Sequence, residues 1–237
     1  MTTARPLLIV GAGGFAREAA ACVRAINDVR PTWELLGHLD DDPSRHGSVI
    51  NGVRVLGPVE AVAYHPEAWV LLGTGRPADY TSRLRLAERL DLPRERYATL
   101  VHPSGSGAAS SRIGVGTVLL AHVDLTVDVV IGDHVAVMPQ VVLTHDVEVE
   151  DWVTIAAGVR VGGGARLRRG AYIGSAVSIR EGVEIGDWAL VGMGSVVTRD
   201  VPAARLWYGA PARDRSAAPV SARISSPADS RRIERKG

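Results

Sequence analysis

The sequence predicts a chain in two parts: a small, doubly wound α/β unit (Rossmann-like) over residues 1–100, then a left-handed parallel β-helix over residues 101–213. Three observations predict this. Strand and helix signals alternate through the first hundred residues. From Ile113 to Val197 an aliphatic residue recurs at every sixth position without a slip. Of the 237 residues, 46% are hydrophobic and only 5% aromatic, with a single Phe. The core must therefore be built from Val, Ile, Leu and Ala, which suits β-branched packing.

In the first part, Leu7–Val10 is a short apolar strand that runs into Gly11-Ala12-Gly13-Gly14. Phe15–Ile26 follows with apolar residues at helical spacing. Leu35–Leu39 is a second strand, ending in Asp40-Asp41-Asp42-Pro43. Val53–Leu56, Trp69–Leu72 and Tyr97–Val101 are further strands, with helices near Val59–Tyr64 and Tyr80–Leu90. Gly11, Gly13 and Ala16 fit the G-x-G-x-x-G/A pattern between a strand and a helix, where bare backbone lets a phosphate reach the helix N-terminus. A nicotinamide site would need a second mononucleotide half, and the unit is too short for one.

In the second part, Ile113, Leu119, Leu125, Ile131 and every sixth residue to Val197 are Ile, Leu or Val. Four residues after each stands a small or β-branched residue, from Thr117 and Val123 to Ser195 and Val201. Three short strands joined by tight turns make one triangular coil of about eighteen residues, and coils stack at about 4.8 Å. The aliphatic residue points into the prism and the small one fits the corner beside it. Ile113–Pro202 supplies about five coils, and Val101 with Gly107 begins another. After Arg213 periodicity stops, and residues 214–237 are expected to be a flexible tail.

Composition excludes several classes of function. The net charge is +1 and the basic residues form no stripe before the tail, so no nucleic-acid partner is expected. Cys22 is the single cysteine, which excludes a disulfide framework and fits a cytoplasmic protein. No apolar run reaches the length of a membrane span, and the N-terminal run is too short for a signal peptide. His122, His134 and His145 are spaced twelve and eleven apart, which matches no stacked metal site in such a prism, so no metal is expected.

The motifs Ile9-Val10-Gly11-Ala12-Gly13-Gly14-Phe15, Gly37-His38-Leu39-Asp40-Asp41-Asp42 and Gly52-Val53-Arg54-Val55-Leu56-Gly57-Pro58 precede Thr144-His145-Asp146 and a closing Tyr208-Gly209-Ala210-Pro211-Ala212-Arg213. From Leu7 to Arg213 the chain resembles the hexapeptide-repeat acyltransferases of bacterial sugars. Within them it is similar to the branch that N-acetylates nucleotide-linked amino sugars, to which sialic-acid O-acetyltransferases are related. The resemblance implies acetyl-CoA as co-substrate, a nucleotide-linked amino sugar as acceptor, and a homotrimer.

Acyl transfer needs a base of near-neutral pKa, which histidine supplies. Of seven histidines only His145 matches the family's catalytic position, with Asp146 beside it to raise its basicity and fix its tautomer. By position, the resemblance assigns Gly13, Gly14, Phe15, Asp40, Asp41 and Gly73 to the acceptor. It assigns Thr154, Gly163, Gly192, Gly194, Pro211 and Arg213 to coenzyme A. Many relatives carry His where this chain has Phe15, and some where it has Thr154, which leaves the acceptor's identity open. The alternatives are a sialic-acid-type sugar, a natural-product amine or hydroxyl, and a ligand-binding protein without turnover. A single convex prism offers a thioester arm no concave surface, so the site is expected between subunits.

Overall fold

A computed structural model describes residues 4–216. The first part is a five-stranded sheet. β1 (Arg5–Val10) lies between β2 (Trp33–Leu39) and β5 (Trp69–Leu72), and the sheet continues through β4 (Val53–Gly57) to β3 (Val49–Ile50). All pairs are parallel except the β3–β4 hairpin at the edge, which the sequence reading did not anticipate. Both faces are covered. α1 (Gly14–Val29) packs its Phe15, Ala16, Ala19 and Val23 on Leu7, Ile9 and Leu71. α2 (Ser82–Leu90) and a 3-10 helix at Val59–Tyr64 cover Leu8, Val10, Val70 and Leu72. The expected strand Tyr97–Val101 divides. Tyr97 makes one bridge to Val70, while Leu100–Val101 is already the first strand of the prism.

The prism consists of two-residue strands in three parallel sheets, with stacked partners eighteen residues apart, as in Leu125–Leu143–Val161. Leu119, Val137, Ile155, Ile173 and Val191 point inward and are at most 3% exposed. Ile113 departs from the pattern at 36%, because no complete coil lies beneath it. The turn residue also recurs at every sixth position in the left-handed region, from His122, Asp128 and His134 to Ala176, Gly182 and Trp188. Leu206–Gly209 and the antiparallel Ala212–Asp214 close the far end. Asp214 therefore ends a strand, and Arg215 donates its N–H to the Leu206 carbonyl, so the expected tail does not begin at 214. Residues 217–237 of that tail lie outside the described residues. No described helix is long and apolar enough to cross a membrane.

One face of the prism carries the small domain. Its outward residues Leu100, Val118, Ala136, Thr154 and Tyr172 are all buried, whereas Ser106, Arg112, Glu148, Arg160 and Arg166 on the other faces are exposed. The junction is fastened by Arg83 of α2, 2% exposed. Its guanidinium donates to the carbonyls of Thr74 (3.0 Å), Trp152 (3.0 Å), His134 (3.3 Å) and Val153 (3.3 Å), and to Thr154 Oγ1 (2.8 Å). Tyr80 adds a hydrogen bond from its hydroxyl to the Trp188 carbonyl, at 2.9 Å.

The corner beneath α2 is a column with an eighteen-residue repeat: Gly116, His134, Trp152, Gly170 and Trp188. The His134 ring stacks on Trp152 with centroids 4.2 Å apart and meets Tyr97 edge-on at 4.6 Å. A Cβ at Gly116 would lie 2.4 Å from His134 Nδ1, so the aromatic ring requires glycine below it. Burial pushes the His134 imidazole down to about 4, and its Nδ1 has no hydrogen-bond partner. The unfolded chain accepts a proton near pH 6.5 that folded His134 refuses until about pH 4. Stability is therefore complete above pH 6.5 and falls by roughly 3 kcal/mol on acidification to pH 4. Buried His38, whose pKa is also lowered by desolvation, adds to the same trend. Denaturant titrations across this range should show a shallower slope for His134→Phe, which keeps the stack; an unchanged slope would reject the assignment.

Candidate active site

His145 stands where the chain leaves the second prism face for the third. Leu143 anchors the strand in the core, the Thr144 hydroxyl donates to the Val161 carbonyl at 2.8 Å, and Asp146 takes the left-handed turn position at φ 59°. The hydrogen bonds Asp146 N–H to Val127 O (3.0 Å) and Gly164 N–H to His145 O (2.9 Å) tie this corner to the coils on either side. His145 Nδ1 lies 2.8 Å from Asp146 Oδ2, with 68% and 64% of the two side chains exposed. A carboxylate can only accept, so Nδ1 carries the proton and Nε2 offers its lone pair outward. Gly163, one coil on, makes room for the ring, since a Cβ there would lie 2.3 Å from His145 Cε1.

A second site lies at the carboxyl ends of β1, β2 and β5, where the connections leaving β1 and β5 run to α1 and α2 on opposite faces of the sheet. That is where open α/β sheets bind ligands. The cleft, about 350 Å³, is lined by the expected Gly13, Gly14, Phe15, Asp40 and Gly73. Gly13 caps α1 without a side-chain bond, leaving the first-turn N–H groups directed at the cleft. Asp40 accepts from the Ala12 N–H (2.8 Å) and the Asp42 N–H (3.0 Å), so it braces the glycine turn. Phe15 is 8% exposed and belongs to the core under α1.

Two expected contacts are corrected. Asp41 does not line the cleft: its carboxylate is held by Arg89, which also pairs with Glu60, and this ion pair keeps its pKa low. Thr154 sits on the prism face under the small domain, 2% exposed, where it accepts from Arg83 and is closed to a thioester. Residues not foreseen line the cleft instead: Asp42, Arg45, Thr74, Arg76, Asp79 and Ser82. The run Gly73-Thr74-Gly75, after β5 and before α2, was the available signal.

Of the other donor candidates, Gly163 lies on one edge of the second face and Gly194 in a turn leading into its opposite edge. Gly192 is packed by the chain itself, because a Cβ there would meet Tyr208 Cβ at 2.7 Å. Pro211 and Arg213 lie in the closing hairpin, where Arg213 is exposed. No residue of the prism lines the small-domain cleft, so His145 and that cleft are separate within one chain. Among the described residues no three His, Cys, Asp or Glu side chains gather as a metal site.

Comparison with known proteins agrees with this division. The PglD N-terminal domain model matches residues 6–90, and the model for the bacterial transferase hexapeptide (six repeats) matches residues 128–163. The chain is 33% identical over 118 residues to the UDP-N-acetylbacillosamine N-acetyltransferase of Bacillus subtilis (strain 168). The match takes in 48% of the chain and spans about half of that relative, 50%. The acetyltransferase domain of PglB from Neisseria gonorrhoeae shares the fold, with a TM-score of 0.77 over 89% of this chain and 99% of its own at 23% identity. PerB from Caulobacter crescentus, solved with CoA and GDP-perosamine, gives 0.68 over 89% and 97% at 27% identity.

The two aspartates separate in their consequences. Asp41→Ala removes an exposed ion pair, should change stability by no more than about 1 kcal/mol, and should leave nucleotide binding in calorimetry unaltered. Asp40→Ala releases the Ala12 and Asp42 N–H groups, and nucleotide binding should weaken. Equal losses for both would return Asp41 to the cleft.

Proposed function

We propose that this protein is an acetyl-CoA-dependent N-acetyltransferase acting on the amine of a nucleotide-linked amino sugar. The observation that carries the reading is the His145–Asp146 pair, set on an open corner with Nε2 free. His145 Nε2 takes the proton from the amine as the nitrogen attacks the thioester carbonyl. The carbon–sulfur bond then breaks, the imidazolium returns the proton to the leaving thiolate, and an amide and free coenzyme A remain. Asp146 holds the ring in its tautomer and faces the transient positive charge. The CoA and GDP-perosamine bound by PerB support the substrate classes.

The acceptor occupies the cleft of the small domain, with its phosphates at the N-terminus of α1. The donor lies along the second prism face, between the corner at Gly163 and the turn at Gly194, with Arg213 near its phosphates. Because His145 and the cleft are separate in one chain, the working protein is a homotrimer in which one subunit's cleft serves a neighbour's histidine.

Free thiol release from acetyl-CoA, screened against UDP- and GDP-linked amino sugars, tests the acceptor. Turnover of free amines with no nucleotide-linked acceptor would overturn it. His145→Ala should cost at least a hundredfold in kcat, and full activity in that variant would remove the base. Gly163→Ala should displace the exposed ring, lowering kcat about tenfold with the melting temperature little changed. Sedimentation at falling concentration should show activity lost with the trimer, and a fully active monomer would refute the shared site.

A further inference from the structure

The Arg83 guanidinium is buried with no carboxylate partner among the described residues. Its hydrogen bonds go to four carbonyls and one hydroxyl. These engage all three of its nitrogens but do not neutralise its charge. Burial lowers its pKa only to about 10, so it stays cationic at neutral pH. A buried charge without a counter-ion is costly, and carbonyl dipoles alone would be a poor reason to place it there.

The position of Arg83 suggests where the compensating anion comes from. Nη1 bonds the carbonyl of Thr74, and a Cβ on Gly75 would lie 2.5 Å from the same nitrogen. Thr74 and Gly75 form a wall of the acceptor cleft, so the guanidinium stands one residue behind that wall. The other features of the cleft agree in sign. Gly13 and Gly14 at the start of α1 and Ser82 at the start of α2 both line it. Neither helix has a side-chain cap or an acid in its first turn, so both positive dipole ends remain open. Thr74 Oγ1 and Ser82 Oγ are buried without partners.

Each acid in the lining has an arginine partner, and two of the three share one. Asp79 pairs with Arg85, and Asp40 and Asp42 pair with Arg45. With Arg76 on the rim and Arg83 behind the wall, the three acids face four cations, and one positive charge is left over.

We propose that Arg83 is a specificity-determining residue: its uncompensated charge makes the cleft select a diphosphate-bearing acceptor over an uncharged one. This rests on the acceptor reading above. Arg83 does not touch the ligand. It acts through the Gly73–Arg76 wall, in a low-dielectric interior where a unit charge about 10 Å away changes affinity by roughly an order of magnitude.

Calorimetric titration of the intact protein with UDP and GDP, and with uridine and guanosine as uncharged controls, tests this. Arg83→Gln should weaken diphosphate binding about tenfold and leave the nucleosides within about twofold, while Arg83→Lys should keep the preference for diphosphate. Should Arg83→Gln fail to fold, Thr154→Asp decides. It places a carboxylate on the prism side of the guanidinium, away from the cleft, and should reduce the diphosphate preference as much. Equal losses for diphosphates and nucleosides would mean that Arg83 only shapes the wall, and an unchanged preference in Arg83→Gln or Thr154→Asp would also overturn the proposal. If the parent protein binds neither UDP nor GDP, the acceptor reading fails and this inference fails with it.

Discussion

Eighteen residues separate each stacked pair in the prism, and the rest of the molecule is referred to that interval. Every sixth residue fills the core and every sixth turn residue adopts a left-handed conformation, so a single insertion would rotate all later side chains out of place. The same interval puts Gly163 under His145 and Gly116 under His134. One ring is open to solvent beside a carboxylate, and the other is sealed in an aromatic stack. His134 takes the left-handed turn position itself, whereas His145 stands one residue before it, and the two also differ in what covers them.

The small domain supplies that cover on one face only. Its α1 side reaches the prism through Leu120 and Ala136, and its α2 side through Trp152, Tyr172 and Trp188. Apolar contact gives most of the adhesion. Arg83 and Tyr80 fix the orientation by hydrogen bonds to corner carbonyls that no strand partner uses. This arrangement opens the carboxyl end of the sheet while leaving Ser106, Arg112, Glu148, Arg160 and Arg166 of the other two prism faces exposed. The small-domain cleft and the His145 corner thus belong to different parts of the surface, a consequence of docking and not of either domain alone.

Much of the site was legible because it lies on backbone motifs. Gly13, Gly14 and Gly73 are turn residues next to strands, and their place follows from where the strands end. His145 and Asp146 are adjacent at a fixed corner of the repeat, so their contact is local. Asp41 and Thr154 were misread for a common reason. Each has a partner from a distant segment, Arg89 forty-eight residues away and Arg83 seventy-one away, and spacing carries no trace of such pairs. Asp42, not Asp41, faces the cleft because Asp41 is held by Arg89 on α2.

By itself the sequence determined the two architectures, the phase of the repeat, the inward residues and the corner that carries His145. These follow from periodicity and turn chemistry, which act between near neighbours or at a fixed interval. Only the tertiary structure decided which prism face is covered, that His134 is a sealed neutral ring, and that Arg83 is buried behind the cleft without a carboxylate. Those outcomes depend on side chains brought together across domains. There, desolvation and the choice of hydrogen-bond partner are set by packing, and no local pattern in the chain encodes them.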